Sequence, residues 1–417
     1  MKAIVLGGGV IGVTTAYCLA RRGHEVTLIE RGEDVATETS FANAGLVNPG
    51  HCFSWADPAA PRLLAASLIG AETALRLSPD PRLWTPRMWT WGIRFLRNCT
   101  AGRNRVNSLR MLRLAQFSRG SLDRIAAETG VAFSRRRGLL YIHREARTLE
   151  AALRRVRLLS EHGETVELLD PDACVRLEPA LAASGVAIAG ALHGPNDESG
   201  DCRAFTHALA RSCLGLGVTL RYATTILALE RAEDRIAAAV TDRGRFIADA
   251  YVLALGSYSP KLARPLGLRL PIYPVKGYSL TLRVPEGAAA PITGGIDEGR
   301  RVAFARFGDS LRFTSTAEIA GFDTSYRESD FGPIRHTMRE LFPECARFPE
   351  IQRFACLRPL TPGGPPILGA TPIRNLFLNT GHGSFGWTMA CGSAEIVAGL
   401  VDGRAPAIDL DGLALES

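Results

Sequence analysis

The chain lacks any unbroken run of 18 apolar residues, so no segment reads as a membrane-spanning helix. Its nine cysteines are an odd number, and no CxxC pair occurs among them. That argues against a disulfide framework, a zinc ribbon and a Cys-ligated iron–sulfur cluster, and for reduced thiols in a cytoplasmic compartment. There is no Lys-rich tail, which argues against a nucleic-acid partner despite a net charge of +7. Internal repeats and low-complexity segments are absent too. The N-terminal apolar run after Lys2 is short, is interrupted by glycines and ends at Arg21 and Arg22. It therefore reads as structure and not as a targeting segment. What remains is a chain of 417 residues with 46% apolar and 22% charged residues, enough for two domains with sizeable cores.

The clearest local signal comes first. "AIVL" (3–6) reads as a buried parallel strand, "VIGVTTAYCLARRG" (10–23) as a helix, and "EVTLIE" (25–30) as a second strand. Between strand and helix, Gly7, Gly9 and Gly12 have the spacing GxGxxG. Gly7 allows the tight turn, Gly9 lets the backbone approach a pyrophosphate, and Gly12 lets helix and strand pack closely. Val10 and Ile11 open the helix, whose free N–H groups and positive dipole end suit phosphates. Glu30, followed by Arg31, ends the second strand, where a carboxylate accepts ribose hydroxyls and disfavours a 2′-phosphate. Strand, glycines, helix, strand and acid in this order predict a dinucleotide site, without deciding between FAD and NAD.

Later segments add to that choice. "ETSFANAGLVNPG" (38–50) is a small, polar loop that can wrap a large cofactor, with Ser40, Asn43, Ala44, Gly45 and Leu46 as candidates. The strand in "ADAYVLALGSYSP" (248–260) ends at Gly256. The strand "LFLN" (376–379) leads through Gly381, His382, Gly383, Ser384 and Gly386 into a long helix. A helix N-terminus there would stabilise negative charge on a reduced flavin.

Seven stretches together resemble the D-amino-acid oxidase superfamily of FAD enzymes, and within it the bacterial D-amino acid dehydrogenase small subunits. They are the loop 38–50, "MWTWGIRFLRNC" (88–99), "LHGPNDESGDC" (192–202), "ALGSYS" (254–259), "YPVKGYSL" (273–280), "CLRPLTP" (356–362) and "NTGHGSFGWTMACGS" (379–393). The resemblance spans nearly the whole chain, and its C-terminal block is the most specific. It implies an α/β fold: a Rossmann-like FAD-binding domain (1–50, 196–265 and 350–417) interleaved with a mixed-sheet α+β substrate domain (51–195 and 266–349). Segment 145–180 fits either domain. Runs 138–144, 185–194, 278–284 and 301–316 read as strands, the last with a turn at "FGDS" (307–310), and 101–128 and 147–162 read as helices.

The resemblance also implies the reaction: oxidation of a D-amino acid by hydride transfer from Cα to flavin N5, then hydrolysis of the imine to a 2-oxo acid and ammonia. Arg358, at the matching "LRP" position, becomes the substrate-carboxylate clamp, a task that suits its planar fork. Tyr273, Tyr278 and His382 are weaker candidates for the same pocket, and Lys276 for the flavin edge. The expected electron acceptor is a respiratory quinone. In "RLWTPRMWTWGIRFLRNC" (82–99), Trp84, Trp89, Trp91 and Phe95 alternate with Arg82, Arg87, Arg94 and Arg97. This pattern suits either a core-facing amphipathic helix or peripheral contact with the inner membrane. Two departures from the family pattern, "TPGG" (361–364) and "TSTAEI" (314–319), bear on the substrate. Alternative expectations are a dehydrogenase of a cyclic imino acid such as cis-4-hydroxy-D-proline, and a flavin-binding subunit without turnover.

Overall fold

Lys2–Leu6 is an apolar strand, buried beyond its first residue, at the centre of a six-stranded sheet. The computed structural model that shows this describes residues 1–68, 75–78, 80 and 84–415. The sheet order is Ile367–Ala370, Leu376–Thr380, Ala250–Leu253, Lys2–Leu6, Glu25–Ile29 and Thr219–Arg221. Its strands run parallel apart from Ile367–Ala370, which pairs antiparallel with Leu376–Thr380. A parallel sheet needs cover on its faces, which explains why these strands read as near-continuous apolar runs. Helices Val10–Arg21, Cys202–Gly215 and Gly386–Val401 supply one cover and share a core with Ala101–Thr129. Eight of the nine free cysteines are buried.

The second sheet has ten strands. Its main path is Glu350–Leu360, Tyr273–Arg283, Ser310–Ile319, Val302–Phe307, Gly294–Asp297, Arg136–His143, Gly190–Ser199 and Leu46–Val47. It is mixed, because Gly294–Asp297 runs parallel to Arg136–His143 while the flanking pairs are antiparallel. The hairpin expected at "FGDS" is present: Val302–Phe307 and Ser310–Ile319 pair around Gly308, whose φ is 62°. The two expected helices are Ala101–Thr129, ended by Gly130 in the left-handed conformation, and Ala146–Ser160. The strand expected over 185–194 instead begins at Gly190 and continues to Ser199. Val186 and Ile188, which suggested a strand, pack onto the core from an irregular segment. Residues 350–360, grouped with the cofactor half from the sequence, are an edge strand of this large sheet. Among the described residues, no helix is long and apolar enough to cross a membrane.

Candidate active site

The turn after Lys2–Leu6 is held by contacts that only glycine permits. Gly7 has φ of 112°, and a Cβ there would lie 2.7 Å from the Ala254 carbonyl oxygen. A Cβ on Gly12 would lie 1.8 Å from the Gly7 carbonyl oxygen, so the helix crosses the turn at backbone contact. Ser40 Oγ accepts from the Val10 N–H at 3.0 Å. Glu30 accepts from the Gly8 N–H at 2.6 Å and the Gly32 N–H at 2.7 Å. Its carboxylate thus braces the glycine loop from the next strand, a role the sequence reading missed.

These residues open onto a cavity of about 690 Å³. Gly7, Gly9, Val10, Ile11, Glu30 and Arg31 line one part, with Thr224 to Leu227 nearby. Ser40 and the loop Asn43, Ala44, Gly45 and Leu46 line the middle, together with Gly256, Gly383, Ser384 and Gly386. Asn43 Oδ1 accepts from the Gly45 N–H at 2.9 Å, which curls that loop. The helix Gly386–Val401 starts here, directly after the 3₁₀ turn Gly383–Phe385 and with no side-chain cap, so its positive dipole end lines the cavity. Two of the residues predicted for the cofactor do not line the cavity. Gly12 serves the helix–turn contact. At Gly381, with φ of 81°, a Cβ would meet Thr361 Cγ2 at 2.9 Å, so it serves the turn. A glycine cradle, an uncapped helix N-terminus and a cavity reaching from one sheet to the other fit a dinucleotide carrying a second ring system.

At the far end stands Arg358. It lies in the strand Glu350–Leu360, opposite Val275. A Cβ on Gly277 would fall 2.1 Å from the Arg358 Nη1, so the guanidinium lies across a gap left by that glycine. Its Nη1 donates to the Thr316 carbonyl oxygen at 2.7 Å, and the Trp55 ring centre is 5.6 Å from its Cζ. Thr316 has φ of 62°, at a break in register between Lys276 and Tyr278 on the partner strand. The bulge turns the Thr316 carbonyl toward Arg358. Among the described residues no carboxylate pairs with Arg358, and burial lowers its affinity for the proton. A fixed, half-buried guanidinium without a counter-charge is a receptor for a ligand carboxylate.

The other candidates are placed differently. Tyr278 touches the cavity, but its hydroxyl donates to Glu318 and accepts from Arg76 Nη2 at 3.0 Å. Tyr273 is buried with its ring 5.5 Å from that of Trp91, away from the cavity lining. The periodicity that put both tyrosines near "PVKG" does not say which way each one faces, and their strand alternates sides. Lys276 is 3% exposed and its Nζ donates to Asp323 at 3.0 Å and to the Ser325 carbonyl at 2.7 Å, so it is not at a cofactor edge. His382 reaches the cavity, but its Nε2 lies 3.1 Å from Ser393 Oγ, and burial pushes its pKa down to about 3. Burial thus keeps its imidazole neutral. Gly277, Thr316 and Trp55 went unassigned in the sequence, although Gly277 and Thr316 lie in the stretches "YPVKGYSL" and "TSTAEI".

Residues 2–400 match the family described as FAD dependent oxidoreductase. The chain belongs to that family. A D-amino acid dehydrogenase of Methylobacterium radiotolerans is 47% identical over 100% of this chain and 99% of its own length. One from Paramagnetospirillum magneticum is 44% identical over 100% and 98%. The glycine oxidase structure from Geobacillus kaustophilus superposes with a TM-score of 0.78 at 23% identity, covering 100% of this chain and 98% of that one. The family's cofactor is FAD, and the cavity's glycine cradle and C-terminal helix start fit it. The α/β fold expected from the sequence is therefore the observed one.

Proposed function

We propose that this protein is an FAD-dependent D-amino acid dehydrogenase that converts D-amino acids to 2-oxo acids and ammonia. The observation that carries this reading is Arg358, an unpaired guanidinium fixed at the end of a flavin-type cavity. The D-amino acid dehydrogenases at 44–47% identity support both substrate class and handedness. The six-stranded unit binds the cofactor and the ten-stranded sheet forms the substrate wall, with the chain crossing between them at Leu46–Val47.

FAD, when bound, supplies the hydride acceptor for the substrate Cα–H. The chain's own residues orient and enclose the substrate. Arg358 holds the α-carboxylate through two parallel hydrogen bonds, with Gly277 beneath it and Trp55 over it. Neither His382 nor Tyr278 is available as a base, and oxidation of an amine already neutral needs none in the transition state.

The reduced enzyme passes its electrons to a respiratory quinone, and it does so while held peripherally on the inner membrane from the cytoplasmic side. The helix Pro86–Asn98 supports this. Trp89, Ile93 and Leu96 are 50%, 50% and 47% exposed on one face, beside Trp84 and the exposed Arg94 and Arg97. Trp91 and Phe95 face the core and do not belong to this surface, and Arg82 lies outside the described residues.

The deciding experiment is anaerobic addition of D-alanine, L-alanine and D-proline to the purified yellow protein. Bleaching by D-alanine and not L-alanine is expected. Bleaching by D-proline alone would replace this reading with a cyclic imino acid dehydrogenase, and bleaching by none would overturn the catalytic reading.

A further inference from the structure

The segment "TSTAEI" (314–319) carries a feature that the reading above leaves unused. Ala303 pairs with Thr314 across two antiparallel strands. Arg301 lies two residues before Ala303, in the turn that leads into this strand, and Ser315 Oγ donates to its carbonyl at 3.5 Å. Thr316 is the residue whose carbonyl holds Arg358. Arg301 thus sits in the turn beside the segment that holds the carboxylate clamp, and it lines the same cavity.

The surroundings of Arg301 are unusual for a surface arginine. Among the described residues its guanidinium has neither a hydrogen-bond nor an ion-pair partner. The nearby carboxylates have closer partners than Arg301. Glu298 lies 2.8 Å from His51 Nε2, and Asp57 lies 3.4 Å from Arg155 Nη2. Arg301 and His143 also face Glu298, and with the His51 bond they hold its carboxyl down to about 2 against the effect of burial. Between Arg358 and Arg301 the floor carries Thr314 and Thr316, which are 7% and 8% exposed. Neither hydroxyl has a partner among the described residues, and both residues line the cavity. The floor is thus a polar strip with a guanidinium at each end, Arg358 half-buried and Arg301 exposed.

We propose that Arg301 is a second anion-binding residue of this site, and that the enzyme accepts D-amino acids with a side-chain carboxylate, D-glutamate above all. The α-carboxylate sits on Arg358, the side-chain carboxylate reaches Arg301, and the two threonine hydroxyls donate to the groups between. The proposal rests on Arg358 being the α-carboxylate clamp. Two guanidiniums in one cavity can each form a charge-assisted pair with a dicarboxylic substrate, while an aliphatic side chain would leave the strip's hydroxyls without partners.

The test uses the flavin-loaded enzyme with an artificial electron acceptor and three substrates: D-alanine, D-glutamate and D-lysine. The wild type is expected to oxidise D-glutamate with higher kcat/KM than D-lysine. In Arg301→Met the ratio of kcat/KM for D-glutamate over D-alanine is expected to fall at least tenfold, mainly through KM. Arg301→Lys is expected to recover part of that ratio, because the charge remains and the planar fork is lost. A purely structural role would not move a ratio between two substrates. The proposal is overturned if D-alanine is oxidised and D-glutamate is not, if D-lysine is preferred, or if Arg301→Met leaves the ratio unchanged. If the wild type oxidises no D-amino acid at all, the underlying function falls with it.

Discussion

For the carboxylate-clamp role proposed for Arg358, three neighbours fix its guanidinium: the gap at Gly277, the Thr316 carbonyl and the Trp55 ring. Lysine at this position would keep the charge but lose the fork. Arg358→Lys is expected to lower kcat/KM for D-alanine about 100-fold, two charged hydrogen bonds at roughly 1.5 kcal/mol each. Steady-state kinetics at constant flavin content measure this; a loss below tenfold would remove Arg358 from the clamp role. Gly277→Ala tests the same geometry from below. Its new Cβ would collide with the guanidinium at 2.1 Å, so Arg358 must swing away. KM is expected to rise at least tenfold while FAD absorbance is retained. The collision partner is a side-chain end, so the backbone need not move.

At the level of one element, the helix Pro86–Asn98 has two apolar faces. Met88, Trp91 and Phe95 are spaced to face the core, and Trp91 Nε1 donates to the Leu360 carbonyl at 2.9 Å. Trp89, Ile93 and Leu96 lie on the opposite side and stay in solvent. A soluble helix has no folding reason to carry that second stripe. The double substitution Trp89→Ser with Ile93→Ser is expected to abolish cosedimentation with anionic lipid vesicles without loss of bound flavin. Raising the salt concentration is expected to weaken wild-type binding, because Arg94 and Arg97 beside the stripe act through screened charge. Equal binding by wild type and variant would end the membrane reading of this helix.

Across the whole molecule, buried titratable groups set how stability follows pH. His382 has its folded pKa pushed down from 6.5 to about 3 by burial. The unfolded chain therefore binds more protons in that window, and stability present above pH 6.5 is lost as the pH falls through it. Asp197 acts with the opposite sign. Burial raises its pKa from 3.8 to about 6, against the bonds from Tyr141 and Gly50, so its contribution favours folding at the acid end and fades as the pH rises through about 6. In His382→Gln, thermal melts between pH 7.5 and 5 are expected to show a shallower fall of Tm on acidification than in the wild type. An unchanged slope would mean that His382 is not the group responsible.

The parts that were legible from residue order share one property: their signal is local. Gly7 and Gly12 lie within a single strand–turn–helix–strand unit, where backbone sterics decide which residues fit. The long helix Ala101–Thr129 and the hairpin around Gly308 were readable for the same reason. Only tertiary structure decided the rest. Strand alternation and packing turned Tyr273 into the core and tied the Tyr278 hydroxyl to Glu318, although both tyrosines flank the same motif. Gly277, Thr316 and Arg358 come from three different strands, and they meet because sheet pairing brings distant segments side by side. Local sterics and hydrophobic periodicity are set by neighbours along the chain. The direction of a side chain and its counter-charge depend on neighbours across the fold, which residue order alone does not specify.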